Sequence, residues 1–196
     1  AIAERTRTLT IGDGMDPRSE MGPLITAEHR DRVANYVADG VAAGATAVLD
    51  GRHTQFDGEG FFLGCSLLDH VTPDMTVYRD EVFGPVLGVV RVGTFAEAIQ
   101  LLNDNPYGNG TAIFTRDGGA AREFCEQAPV GMVGINVPIP VPVGYHSFGG
   151  WKNSLFGDTH MYGPEGVRFY TKAQAVTTRW PDPARSSVDL GFPRND

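Results

Sequence analysis

The chain has 196 residues, 41% of them hydrophobic, and a formal net charge of −8. That length suffices for a domain with its own core, and the acidic balance argues against nucleic acid or an anionic membrane as partner. No apolar run approaches the ~20 residues of a membrane span, and two cysteines without CxxC spacing suit a reducing, cytoplasmic compartment.

Residues 1–9, AIAERTRTL, read as the last turns of a helix, and residues 12–23, with three glycines and two prolines, as a loop. Thr26 can cap a helix that carries Glu28 in its first turn. Val33, Tyr36, Val37 and Val41 give that helix an apolar face, and Gly44 marks its end. Residues 46–49 read as a short buried strand, 51–60 as a surface loop or hairpin tip, and 61–71 as a strand or two around Gly64.

Residues 78–90, YRDEVFGPVLGVV, are the stretch around which the rest is organised. Val86, Leu87, Val89 and Val90 suit a strand covered on both faces, as in a parallel sheet. Gly84-Pro85 imposes a turn before it. Upstream of that turn stand Asp80, Glu81 and Phe83. A carboxylate and an aromatic ring there could hold a ribose hydroxyl and a flat heterocycle; they could also be a solvated acidic turn with Phe83 in the core.

Thr94 and Glu97 match a capping box, and the helix they start ends before Asn105-Pro106. A strand over 111–115, a helix over 118–127 and a strand over 130–136 follow with short connections. This alternation predicts a parallel α/β sheet, in which ligands sit beyond the carboxyl ends of the strands. Asn136 and the loop after Thr115 fall at such ends. Residues 137–144, VPIPVPVG, are extended by three prolines and apolar enough to be pressed against the body of the protein. Residues 145–158 set aromatics among glycines, 171–180 have the β character of an edge strand, and the chain from 181 onward reads as a tail. Cys65, in an expected strand, and Cys125, in an expected helix, read as buried small hydrophobes.

No dinucleotide fingerprint, phosphate loop, nucleophile elbow or zinc motif is present, and the five histidines are scattered, so no metal site is expected. Residue chemistry alone stops at an α/β domain with a carboxylate-aromatic loop.

The stretch Glu81-Val-Phe83-Gly84-Pro85 resembles the E-x-F-G-P signature of the aldehyde dehydrogenase superfamily. Residues 148–157, FGGWKNSLFG, look like the F-G-G-x-K-x-S pattern of the same family. Glu20-Met-Gly22-Pro23-Leu24, Asn105-Pro-Tyr107-Gly108 and Phe114-Thr-Arg-Asp117 match further family blocks in the right order. The run Ile135-Asn-Val-Pro-Ile-Pro-Val-Pro142, together with Phe156-Gly-Asp-Thr-His160-Met161, resembles the CoA-acylating methylmalonate-semialdehyde (malonate-semialdehyde) dehydrogenases more closely.

That resemblance implies an aldehyde oxidised through a cysteine thiohemiacetal, with hydride passing to NAD. The thioester then goes to coenzyme A with loss of CO2. It gives Glu81 the nicotinamide ribose hydroxyls and Phe83 the nicotinamide side of the cofactor site, and puts Asn136 and Phe148 near the acyl pocket. Neither Cys65 nor Cys125 aligns with the family's nucleophile, so no catalytic residue is expected in this chain. The implied architecture is a partial catalytic domain over 1–170, an oligomerisation strand over 171–180 that contacts another subunit, and a tail over 181–196. Expected, then, is an inactive fragment of a homo-oligomeric semialdehyde dehydrogenase. The alternatives are a fragment of a hydrolytic aldehyde dehydrogenase and a non-catalytic assembly module.

Overall fold

The structure, a computed structural model, describes residues 1–56, 58–180, 182 and 184. It divides into two units, Ala1–Glu97 and Ala98–Asp196.

In the first unit, helix α1 (Ile2–Arg7) is tied to the loop after it by Glu20. The Glu20 carboxylate accepts hydrogen bonds from the Arg5 guanidinium and, at 3.0 Å, from the Thr10 amide. Helix α2 (Ala27–Ala42) begins where sequence predicts: the Thr26 hydroxyl accepts from the His29 amide at 3.1 Å. Gly44, at φ +110, lets the chain leave the helix.

Strands β1 (Thr46–Leu49) and β2 (Ser66–Asp69), helix α3 (Thr76–Arg79) and strand β3 (Val86–Gly88) complete this unit. The sheet order is β1-β2-β3, with β1 antiparallel and β3 parallel to β2. Leu68, on the central strand, is fully buried in a core of Val37, Ala45, Val71 and Met75. Truncating such a leucine to alanine costs about 2–5 kcal/mol.

Two expectations are corrected here. Strand β1 is mostly exposed, and the doubly covered strand is β2, not the valine-rich run. Strand β3 lies at an edge of this sheet, and Leu87 is 50% exposed. Apolar composition reports what a strand can bury, and not whether a neighbour covers it.

Helix α4 (Phe95–Asp104) starts with the expected cap, the Thr94 hydroxyl accepting from the Glu97 amide at 3.2 Å. The Glu97 carboxylate reaches back to the Gly93 amide at 2.7 Å, one residue earlier than the capping box specifies. Strands β4 (Tyr107–Gly108) and β5 (Gly110–Ile113) follow, then helix α5 (Gly118–Gln127), capped by the Asp117 carboxylate. Strand β6 (Met132–Ile135) pairs parallel with β5, which makes β5-α5-β6 the expected crossover unit. Strand β7 (Trp151–Lys152) pairs antiparallel with β4, and helix α6 (Pro164–Tyr170) closes the regular structure.

The fold is thus α/β, with mixed sheets where one parallel sheet was expected. The stretch 137–144 is covered less than expected: Pro140 and Pro142 are half-buried, but Val137, Ile139, Val141 and Val143 are all exposed, Ile139 at 73%. The edge strand expected over 171–180 is not formed: among the described residues those positions belong to no strand or helix. Most of the expected tail lies outside the described residues. No helix among the described residues is long and apolar enough to cross a membrane.

Candidate functional site

The loop from Asp80 to Pro85 connects α3 to β3, and α2 grips it at three points. The Tyr36 hydroxyl donates to the Asp80 carboxylate at 2.9 Å, and that bond to an anion pushes the phenol's pKa up. His29 approaches the Phe83 carbonyl at 2.8 Å through Nε2. Gly84 passes so close to the helix that a Cβ there would lie 2.6 Å from Val33 Cγ1. His29, Val33 and Tyr36 share one helical face, so a single stripe of α2 fixes the loop.

Two groups are left over. Glu81 is exposed, and among the described residues its carboxylate makes no hydrogen bond or ion pair. Phe83 is 77% exposed, which rules out the reading that buries it in the core. Its φ is +50, a left-handed conformation that costs a non-glycine residue about 1–2 kcal/mol. A free, acceptor-only carboxylate two residues from an open aromatic ring suits a diol joined to a flat heterocycle. The nicotinamide riboside half of NAD has that shape, and these residues fit it. The loop lies on the amino-terminal side of β3, so the carboxyl-edge rule does not describe this site.

In the second unit, Asn136 follows β6 at its carboxyl end, also with positive φ, at +57. Its side-chain amide accepts from the Thr115 amide at 2.9 Å and donates to the Thr115 carbonyl at 3.0 Å. Phe148 is half-buried and stacks flat on Tyr162, centroids 4.3 Å apart. Gly149, its neighbour, sits under the His160 ring, where a Cβ would lie 2.7 Å from Cδ2. The Gly-Asp-Thr-His block is thereby packed on the F-G-G loop.

Lys152, at φ +50, donates from Nζ to the carbonyls of Leu102, Asn103 and Asn105 at 2.8, 3.1 and 2.8 Å. These are groups left open at and just beyond the end of α4. The Ser154 hydroxyl accepts from the Gly108 amide at 3.1 Å. The N-P-Y-G and F-G-G-x-K-x-S blocks therefore hold each other in place through the β4–β7 pairing.

Cys65 is half-buried with Sγ 3.8 Å from Met21 Sδ, and burial pushes its pKa up, the opposite of what a nucleophile needs. Cys125 is exposed on α5, not buried as expected. No cluster of metal-ligating side chains occurs among the described residues. Sequence reasoning missed His29 and Tyr36, because their partners lie 54 and 44 residues away. Of Lys152 it caught the motif but not the contacts.

Residues 1–176 match the aldehyde dehydrogenase family. The malonate-semialdehyde dehydrogenase of Pseudomonas aeruginosa is 60% identical over 195 residues, 98% of this chain and 39% of that protein. The malonate-semialdehyde dehydrogenase 1 of Geobacillus thermodenitrificans is 44% identical over 173 residues, 88% of this chain and 36% of that protein. Among solved structures, methylmalonate-semialdehyde dehydrogenase from Oceanimonas doudoroffii superposes with a TM-score of 0.90 at 53% identity, covering 93% of this chain and 38% of that one. A proposed methylmalonate-semialdehyde dehydrogenase from Sinorhizobium meliloti, complexed with NAD, gives 0.91 at 45% identity over 94% of this chain and 38% of that one. The chain thus spans about two fifths of the length of the curated relatives it matches.

Proposed function

The chain belongs to the aldehyde dehydrogenase family, and from that premise we propose that it is the cofactor-orienting part of an NAD-dependent, CoA-acylating malonate- or methylmalonate-semialdehyde dehydrogenase. The observation that carries this reading is the 60% identity, spread over nearly the whole chain, to a malonate-semialdehyde dehydrogenase. NAD, when bound, accepts the hydride. Glu81 takes the hydrogen bonds of the nicotinamide ribose and Phe83 packs on the nicotinamide side; the free carboxylate and the exposed ring support those roles.

Asn136 and Phe148 keep their proposed place by the acyl pocket. For Asn136 that role is indirect, since most of its side-chain hydrogen bonding is spent on Thr115 and its effect is to shape the strand end. The nucleophilic cysteine belongs to the part of the relatives' length that this chain does not span. A half-buried thiol whose pKa is raised and an exposed helical one support that assignment. Residues 171–180, with the β-branched run Val176-Thr177-Thr178, pair with a strand of another subunit in a homo-oligomer. Two free thiols agree with a cytoplasmic setting.

The test is product analysis of the full-length protein with malonate semialdehyde, NAD and coenzyme A. Acyl-CoA and CO2 are expected, with no turnover from the 196-residue chain alone. A free acid as sole product would overturn CoA acylation, and turnover by the chain alone would overturn the assignment of the nucleophile.

A further inference from the structure

His29 is 7% exposed, and each of its ring nitrogens meets a partner of fixed character. The Phe83 carbonyl, 2.8 Å from Nε2, can only accept, so Nε2 carries the proton. The Arg32 guanidinium, 2.6 Å from Nδ1, can only donate, so Nδ1 offers its lone pair. The two contacts together specify one neutral tautomer. What that tautomer holds is the backbone of the strained residue that follows Glu81 by two positions.

We propose that His29 is a positioning residue for cofactor binding: through the relay Arg32–His29–Phe83 it keeps the Glu81–Phe83 loop in the geometry that receives the nicotinamide riboside half of NAD. The inference rests on the reading of Glu81 and Phe83 as NAD contacts. It adds that the loop is not shaped by its own sequence alone. A left-handed phenylalanine relaxes unless something outside the loop holds it, and the side chains that do so come from α2. His29 itself need not touch the cofactor, because both of its nitrogens are already engaged.

The experiment compares His29→Leu, His29→Gln and Glu81→Gln in the full-length protein, with NAD affinity measured calorimetrically and the melting temperature recorded for each variant. Leucine fills the space but leaves the Phe83 carbonyl without its donor. Glutamine can place an amide N–H near the Nε2 position and offer its oxygen to Arg32. Expected for His29→Leu is a rise of about fivefold or more in the NAD dissociation constant, the worth of one lost hydrogen bond, with recovery to within about twofold in His29→Gln. KM for the aldehyde should change little in both variants. If leucine and glutamine weaken NAD equally while the melting temperature falls, His29 is a structural residue only and the proposal fails. If Glu81→Gln weakens NAD but His29→Leu does not, the proposal fails while the cofactor reading stands. If neither changes NAD affinity, the cofactor reading itself is wrong and the proposal goes with it.

Discussion

Asn136 clasps Thr115 across the carboxyl ends of β6 and β5, taking one hydrogen bond from its amide and giving another to its carbonyl. The same side chain that makes this double contact sits on a left-handed backbone. Asparagine tolerates that conformation better than most residues.

Replacing Asn136 separates the two effects. Asn136→Ala loses both hydrogen bonds and adds backbone strain, so a loss of about 1–3 kcal/mol is expected. Asn136→Gly should recover only the strain. Chemical denaturation of the three proteins checks this. Equal midpoints for alanine and wild type would show that the clasp contributes nothing.

Lys152 does for α4 what a capping residue does from nearby, but from 47 to 50 positions along the chain. Lys152→Met keeps the stem and removes the ammonium, leaving three carbonyls without a charged donor. A loss of about 1.5–3 kcal/mol is expected. The end of α4 should also exchange its amide hydrogens faster, which mass spectrometry would read out.

A pH effect follows from Asp69 and Arg91. The guanidinium donates to both carboxylate oxygens at 2.8 and 2.7 Å, and the His70 amide adds a third bond. The Arg91 contact, foremost, holds the Asp69 carboxyl well below the usual carboxylate range. A depressed folded value means that the pair stabilises the chain above the unfolded pKa of about 4. That contribution disappears as pH falls through the folded value. In Arg91→Met, melting temperatures at pH 7 and pH 3 should differ less than in wild type; an unchanged difference would show that the pair carries no acid sensitivity.

What the sequence disclosed, and what it hid, divides along the reach of each interaction. Thr26 and Gly44 act on residues within a few positions, so the ends of α2 were legible, while α5 was read without its cap, Asp117. Glu81 and Phe83 were legible as a motif, and their exposure agrees with a binding role. His29 was not, since no local spacing reveals a partner 54 residues on. The same holds for β7, two residues long and present only because β4 lies opposite. The valine-rich run and residues 137–143 were misjudged because their apolarity is real while their covering surface is not among the described residues.

Glu81 should respond to charge more than to shape. Glu81→Gln preserves length and planarity but exchanges an anion for a neutral amide with its own donors. Hydrogen bonds to a charged acceptor are worth about 1.5–3 kcal/mol, so NAD binding by the full-length protein should weaken about ten- to a hundredfold. Glu81→Asp retains charge but withdraws it by one methylene, and should fall between. Calorimetric titration with NAD measures both variants, and a Gln variant binding as tightly as wild type would falsify the ribose contact.

The apolar stretch 137–143 has a physical cost when it stands alone. Val137, Ile139, Val141 and Val143 present their side chains to water, and Trp151, Phe156 and Tyr170 do so in the same unit. Exposed apolar surface on this scale marks a face that another surface normally covers. The 196-residue chain by itself should therefore bind a hydrophobic dye and sediment as a species heavier than 21.1 kDa. Ile139→Thr with Val141→Thr should lower both signals with little change in the melting temperature, because both side chains are more than half exposed. The full-length protein should cover this face and give little dye signal. A monomeric chain without dye binding would mean that residues 137–143 find cover within the chain in solution, and the case for a missing covering surface would be lost.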